Sequence, residues 1–93
     1  MNHYRVGIAG FGAIGQAVAR VLDAGVPGLT LAAIAVRDPQ HPPATAWQGA
    51  APEWTTLSGL AERCDVVVEC APAAVIRELS EPVLRAGKKL VVL

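Results

Sequence analysis

Residues 5–25, RVGIAGFGAIGQAVARVLDAG, decide the fold. An apolar run enters, three glycines follow in the spacing G-x-G-x-x-G, and helical periodicity takes over. Residues 4–9, YRVGIA, read as a buried strand, and residues 13–24 as a helix. Ile14, Ala17, Val18, Val21 and Leu22 recur at helical spacing and predict its apolar face. Gly25 stands where a helix C-cap is expected. The glycines between strand and helix suit either a phosphate cradle or a plain tight turn. In a cradle their jobs differ. Gly10 turns the chain out of the strand, Gly12 admits a pyrophosphate to the backbone, and Gly15 lets the helix pack close to the sheet.

Working outward, residues 30–36, TLAAIAV, form a second continuous apolar run. Apolarity without alternation is expected of a strand covered on both faces. Residues 38–54 hold four prolines and no periodicity, and read as an irregular loop. A short helix is expected over 57–63, then a valine-rich strand over 65–70. A helix follows, with Val75, Ile76, Leu79 and Val83 on one face and a kink or break near Ser80 caused by Pro82. Gly87 ends it, and residues 89–93 form a fourth strand. Strands alternating with helices predict an α/β fold: a Rossmann-type parallel sheet with helices on both faces. The final apolar strand predicts a bare sheet edge. On that reading residues 1–93 are the N-terminal part of a dinucleotide-binding domain in a larger two-domain enzyme.

Composition narrows the partners. The chain has eight basic and eight acidic residues, net charge zero and no basic cluster, which argues against nucleic acid. No stretch approaches the ~20 apolar residues of a membrane span, and no signal-peptide pattern opens the chain. Cys64 and Cys70 have five residues between them, neither a redox pair nor a zinc spacing. Free thiols in a cytoplasmic protein are expected, with no metal site.

The candidate cofactor contacts follow from the motif. A helix starting near Ala13 aims unpaired N–H groups at a phosphate. Phe11, Ala13 and Ile14 supply backbone donors and walls beside Gly10, Gly12 and Gly15. Asp38 lies 23 positions beyond Gly15, where an acid can accept from the adenosine ribose hydroxyls of NAD. Arg37 next to it suits the 2′-phosphate of NADP, so use of both cofactors is expected. Alternatively, Asp38 opens an Asx-turn before Pro39 and Arg37 is solvated. Cys70, Ala71 and Pro72 leave the third predicted strand at its carboxyl end, where ligands of open parallel sheets lie. Glu69 reads as structural, because a buried carboxylate has to find partners. His3 and His41, in an N-terminal arm and a Pro-rich loop, are poor general-base candidates.

The combination of VGIAGFGAIGQAVARVL, AIAVRD, CDVVVECAPAAVIRE and VLRAGKKLVVL resembles the N-terminal domain of the L-aspartate dehydrogenase family. The resemblance runs through most of the chain, and the Pro-rich loop adds nothing to it. It implies NAD(P)-dependent oxidation of L-aspartate to iminosuccinate, which hydrolyses to oxaloacetate and ammonia or feeds NAD biosynthesis. The family's catalytic histidine and substrate-binding residues belong to a second domain, so none is assigned within residues 1–93. A homo-oligomer formed through that second domain is implied by analogy. Homoserine dehydrogenase, dihydrodipicolinate reductase and a non-catalytic NAD(H)-sensing domain are the alternatives.

Overall fold

The computed structural model describes residues 3–41, 52–70 and 76–93. In chain order it contains β1 (Tyr4–Ala9), α1 (Ala13–Ala24), β2 (Leu29–Ala35), β3 (Glu53–Thr55), α2 (Leu57–Leu60), β4 (Val66–Glu69), α3 (Ile76–Arg85) and β5 (Lys89–Val92). The five strands form one sheet in the order β3-β2-β1-β4-β5. Every pairing is parallel. This is the strand order of a Rossmann half-fold with its first crossover back past β1. The chain runs outward from β1 to β3, then returns to place β4 on the other side of β1. That reversal creates the switch point at which open α/β sheets bind ligands.

Strand pleating explains the two core layers. Val6 and Ile8 of β1 and Ile34 of β2 join Ala19 and Leu22 of α1 in one buried cluster. The opposite layer holds Ala9, Ala33, Ala35, Leu60, Ala61, Cys64, Val67 and Val83. Consecutive residues point to opposite faces, so each apolar run serves both layers. The second layer is built from small residues on β1 and β2, which allows a close approach. A methyl group at Gly7 would sit 2.7 Å from the Cys64 sulfur. Cys64 is fully buried and its thiol donates to the Leu60 carbonyl at 3.2 Å. Burial pushes that thiol up from its ordinary value. Both cysteines are free.

Four expectations need correction. First, the buried face of α1 is rotated from the predicted one. Gly15, Ala19 and Leu22 are buried, whereas Ile14 and Val21 are 57% and 60% exposed. Ala17 is exposed as well. The close approach of Gly15 to the sheet sets the rotation, and alanine and glycine carry too little hydropathy to reveal it. Second, the irregular stretch contains β3, whose Trp54 pairs with Ile34. Three residues are too few for a periodic signal; the strand exists because β2 offers it an open edge. Third, α2 stops at Leu60, and residues 61–63 form a turn. Thr56 caps its start by accepting from the Gly59 N–H at 3.3 Å. Fourth, of the kink or break expected near Ser80, the break does not occur: one helix runs through Pro82. Proline removes one helical hydrogen bond, but the adjacent Val83 is fully buried, and its packing holds the turn together. Of the predicted face of α3, Val83 is buried, and Val75 and the side chains of Ile76 and Leu79 lie outside what the structure describes.

Beneath the sheet, at the amino ends of the strands, Asp65 ties β1 to β4. Its carboxylate accepts from the Arg5 N–H at 2.8 Å and lies 3.3 Å from the Arg5 guanidinium. These contacts, the backbone one foremost, hold the Asp65 carboxyl below the usual carboxylate range.

Candidate functional site

The carboxyl ends of β1, β2 and β4 form the floor of the site. Backbone hydrogen bonds carry the ladder past the last strand residues. The Gly10 N–H donates to the Ala35 carbonyl at 3.1 Å and the Cys70 N–H to the Ala9 carbonyl at 2.9 Å. The Val36 N–H donates to the Thr55 carbonyl at 2.9 Å. The three strand exits are thereby fixed relative to one another before any side chain is considered. The buried halves of β1 and β2 are also their carboxyl halves, so the loops stand on the best-packed part of the sheet.

The glycine loop has a separate physical requirement at each position. Gly10 has φ 96°, a conformation that an L side chain rarely adopts. At Gly15 a methyl carbon would lie 2.2 Å from the Gly10 carbonyl oxygen, so α1 crosses the loop too closely for any side chain. At Gly12 a methyl carbon would meet nothing within 4 Å. The fold therefore demands glycine at Gly10 and Gly15 but leaves Gly12 facing open space.

The first turn of α1 faces the same way. Its first helical hydrogen bond joins the Gln16 N–H to the Gly12 carbonyl at 2.9 Å. The N–H groups before it, of Ala13, Ile14 and Gly15, have no partner within the helix. No side chain caps this end and no acidic residue occupies the first turn. The result is a set of unfulfilled donors at the positive end of a helix dipole, which suits an anion. Ile14 is exposed at this mouth.

Two side chains that sequence reasoning missed brace the loop. Gln16 donates from its amide to the Phe11 carbonyl at 3.2 Å. Trp54 meets the Phe11 ring edge-on, with centroids 5.3 Å apart and planes at 87°. Such a pair adds ~0.5–1.5 kcal/mol beyond its buried area. The signal for Gln16 was its place one turn after Gly12. Trp54 carried none, because its partner lies in a distant segment.

The exit of β2 is a compact turn. The Asp38 carboxylate accepts from the Gln40 N–H at 3.1 Å, which is the Asx-turn alternative. Its other oxygen lies 2.9 Å from His41 Nδ1. Arg37 is exposed beside it. His3, at the opposite end of the sheet, hydrogen-bonds Thr30.

At the exit of β4, Glu69 is 1% exposed. Among the described residues, no buried side-chain nitrogen or oxygen lacks a partner, so Glu69 is a satisfied core carboxylate. Cys70 is half-buried and packs on the same layer as Phe11, Val36 and Trp54. Burial, with the neighbouring Glu69 charge, pushes its thiol up, so it is a neutral wall and a poor nucleophile near pH 7. Ala71 and Pro72 lie outside the described residues. The fold thus brings together Gly10, Phe11, Gly12, Ala13, Ile14, Gly15 and Cys70 at the switch point, with Arg37 and Asp38 at the neighbouring strand exit. No helix among the described residues is long and apolar enough to cross a membrane, and no group of metal-ligating side chains occurs among them.

Comparison with known proteins adds to this geometry. The family model described as the homoserine dehydrogenase NAD-binding domain matches residues 10–93. An L-aspartate dehydrogenase of Bradyrhizobium diazoefficiens is 44% identical over 92 residues, covering 98% of this chain and 32% of that protein. The chain therefore spans about a third of the length of this curated relative. Among solved structures, a 3-ketoreductase variant from Actinomadura kijaniata, in complex with TDP-benzene and NADP, matches with TM-score 0.79 and 27% identity. That match covers 98% of this chain and 30% of that one. A scyllo-inositol dehydrogenase from Lactobacillus casei, with bound NAD(H) and scyllo-inositol, has TM-score 0.79 at 20% identity, a likeness of fold alone. It covers 98% of this chain and 28% of the dehydrogenase.

Proposed function

Because the chain belongs to the family of homoserine dehydrogenase NAD-binding domains, we infer that it is the cofactor-binding part of an NAD(P)-dependent L-aspartate dehydrogenase. The 44% identity to an L-aspartate dehydrogenase, sustained across nearly the whole chain, carries this reading. A nicotinamide dinucleotide is the ligand class of the family, and the residues present fit one. Gly12 leaves room for a pyrophosphate against the backbone, and the N–H groups of Ala13, Ile14 and Gly15 meet its charge. Gly10 and Phe11 hold the loop in the receptive shape, braced by Gln16 and Trp54. Arg37 and Asp38 lie at the strand exit where the adenosine ribose would be read, and Cys70 stands at the β4 exit where a dinucleotide would pass, with Ala71 and Pro72 next in the sequence.

When bound, the nicotinamide supplies the hydride acceptor. The chain's own contribution is orientation: the strand exits at the switch point and the uncapped N-terminus of α1 would hold a dinucleotide by its phosphates. In the whole protein the reaction would take a hydride from the Cα of L-aspartate and a proton from its amine, giving iminosuccinate, which water hydrolyses to oxaloacetate and ammonia or which itself feeds NAD biosynthesis. A cytoplasmic homo-oligomer completes the proposal. Both NAD and NADP are accepted, because Arg37 and Asp38 favour opposite 2′ groups.

The description of the family favours a second reading, oxidation of homoserine. Assaying the complete gene product with L-aspartate and with L-homoserine, each with NAD and NADP, separates the two. Turnover of aspartate with either cofactor is expected. Turnover of homoserine alone overturns the aspartate reading, and a kcat/KM preference above about a hundredfold for one cofactor, ~2.7 kcal/mol, overturns dual use.

A further inference from the structure

We propose that the exposed flank of α1 and the adjoining face of β4 and β5 seat a helix from the part of the full-length protein outside residues 1–93. The proposal rests on reading this chain as one part of a longer dehydrogenase. Its starting point is the rotation of α1. Gly15, Ala19 and Leu22 face the sheet, so Ile14, Val18 and Val21 share one flank and Gln16, Arg20 and Asp23 the other. The polar flank lies towards β3, because Gln16 holds the Phe11 carbonyl and the Phe11 ring meets Trp54. The apolar flank therefore looks across the sheet towards β4 and β5, with Ile14 and Val21 exposed and Val18 half-buried.

The floor beneath that flank is apolar as well. Val68 of β4 packs in the α1 layer, and its register partner Val91 of β5 points to the same face. On the other face Leu90, the partner of Val67, packs in the layer that contains Val83 of α3. Val91 is left exposed. Of the described helices, only α1 packs in this layer, since Leu60 of α2 and Val83 of α3 belong to the opposite one. Wall and floor meet in an apolar recess, although parallel sheets are buried on both faces.

Handedness limits what can cover it. Crossovers between parallel strands are right-handed. The crossover from β1 to β2 and that from β4 to β5 run in opposite directions along the sheet, so α1 and α3 lie on opposite faces. A further parallel strand beside β5 would continue the second direction and carry its helix over the α3 face too. Extending the sheet leaves the recess open. Residues 42–51 join β2 to β3, at the far edge from β5, and residues 71–75 lead from β4 into α3. The occupant is then a segment that reaches this face from outside the succession of strands. The chain spans 32% of its Bradyrhizobium relative, which leaves ample polypeptide to supply one. A helix with an apolar stripe fits, because Ile14 and Val21 stand about two turns apart and form a ridge for it to pack against.

The test is labelling of the complete gene product with N-ethylmaleimide in the variants Val21→Cys, Val91→Cys and Arg20→Cys, with modified peptides read by mass spectrometry. All three positions are exposed, so the substitutions leave the described core intact. Arg20, on the polar flank, is the control. Val21→Cys and Val91→Cys are expected to react at least about tenfold more slowly than Arg20→Cys, because a covered thiol reacts only on local opening. The ratio is expected to be equal at about 1 μM and about 100 μM protein, since an intramolecular cover does not dilute away. Equal labelling at all three positions overturns the proposal. Protection that disappears on dilution assigns the recess to a second copy and overturns the intramolecular occupant. Hydroxyl-radical footprinting of Val21 and Val91 in wild type repeats the comparison free of any substitution, and strong oxidation of both overturns the proposal again. NADH titration in parallel reports on the dinucleotide reading separately. Failure to bind NADH with the protection intact overturns that reading and supports the covered recess.

Discussion

At the residue scale, the three loop glycines separate folding from binding. Gly15→Ala forces a methyl carbon to within 2.2 Å of a backbone oxygen, so the loop or the helix has to move. Overpacking of this kind costs ~1–3 kcal/mol, read as a lower urea midpoint, and NADH binding falls with it. Gly12→Ala meets no neighbour, so stability is expected to stay within ~0.5 kcal/mol of wild type. NADH affinity is nonetheless expected to fall at least about tenfold, ~1.4 kcal/mol, because the methyl occupies the space a phosphate needs. Equal losses in both variants would show that the space over Gly12 is not used. These roles were legible in the sequence because glycine spacing is local. The contact of His41 with Asp38 and of Trp54 with Phe11 was not. The first depends on how a proline-rich turn closes, and the second joins segments that only the finished sheet brings together.

At the element scale, long apolar runs were readable and short or rotated ones were not. β1, β2 and β4 announce themselves because burial on two faces requires unbroken apolarity. β3 is created by pairing and not by composition, and α1 is turned by a glycine whose contribution is the lack of a side chain. Asp65 supplies an element-level prediction, since it joins the amino ends of β1 and β4. Its carboxyl is held below the ordinary unfolded value of about 3.9, so its stabilisation is present above that value. The contribution is lost as pH falls through the lower folded value. Asp65→Asn is therefore expected to have a lower urea midpoint than wild type at pH 7. The difference should shrink as the pH drops below about 4. A gap that stays constant down to about pH 2 would show that charge has no part in the tie.

At the scale of the whole molecule, β3 and β5 are the sheet edges, and the alternation of strands and helices was enough to predict the parallel architecture between them. At β5 of the described sheet, Val91 and Val92 are 44% and 52% exposed, and Leu93 after it is 62% exposed. A flat apolar edge invites pairing with a second copy. The 93-residue chain is expected to associate with rising concentration in sedimentation experiments, and Val92→Lys to reduce that association. A monomer at every concentration would show that the edge is inert. The position of β1 carries another consequence, this time for the order of assembly. It precedes the other described strands in the chain and is the central strand of the sheet, yet it pairs Tyr4 with Leu29 and Val6 with Val66. Neither partner is local, and loop closure has to precede each reward. The nascent β1 therefore waits, first with β2 alone, until synthesis has passed β4, and the floor of the candidate site cannot close before then.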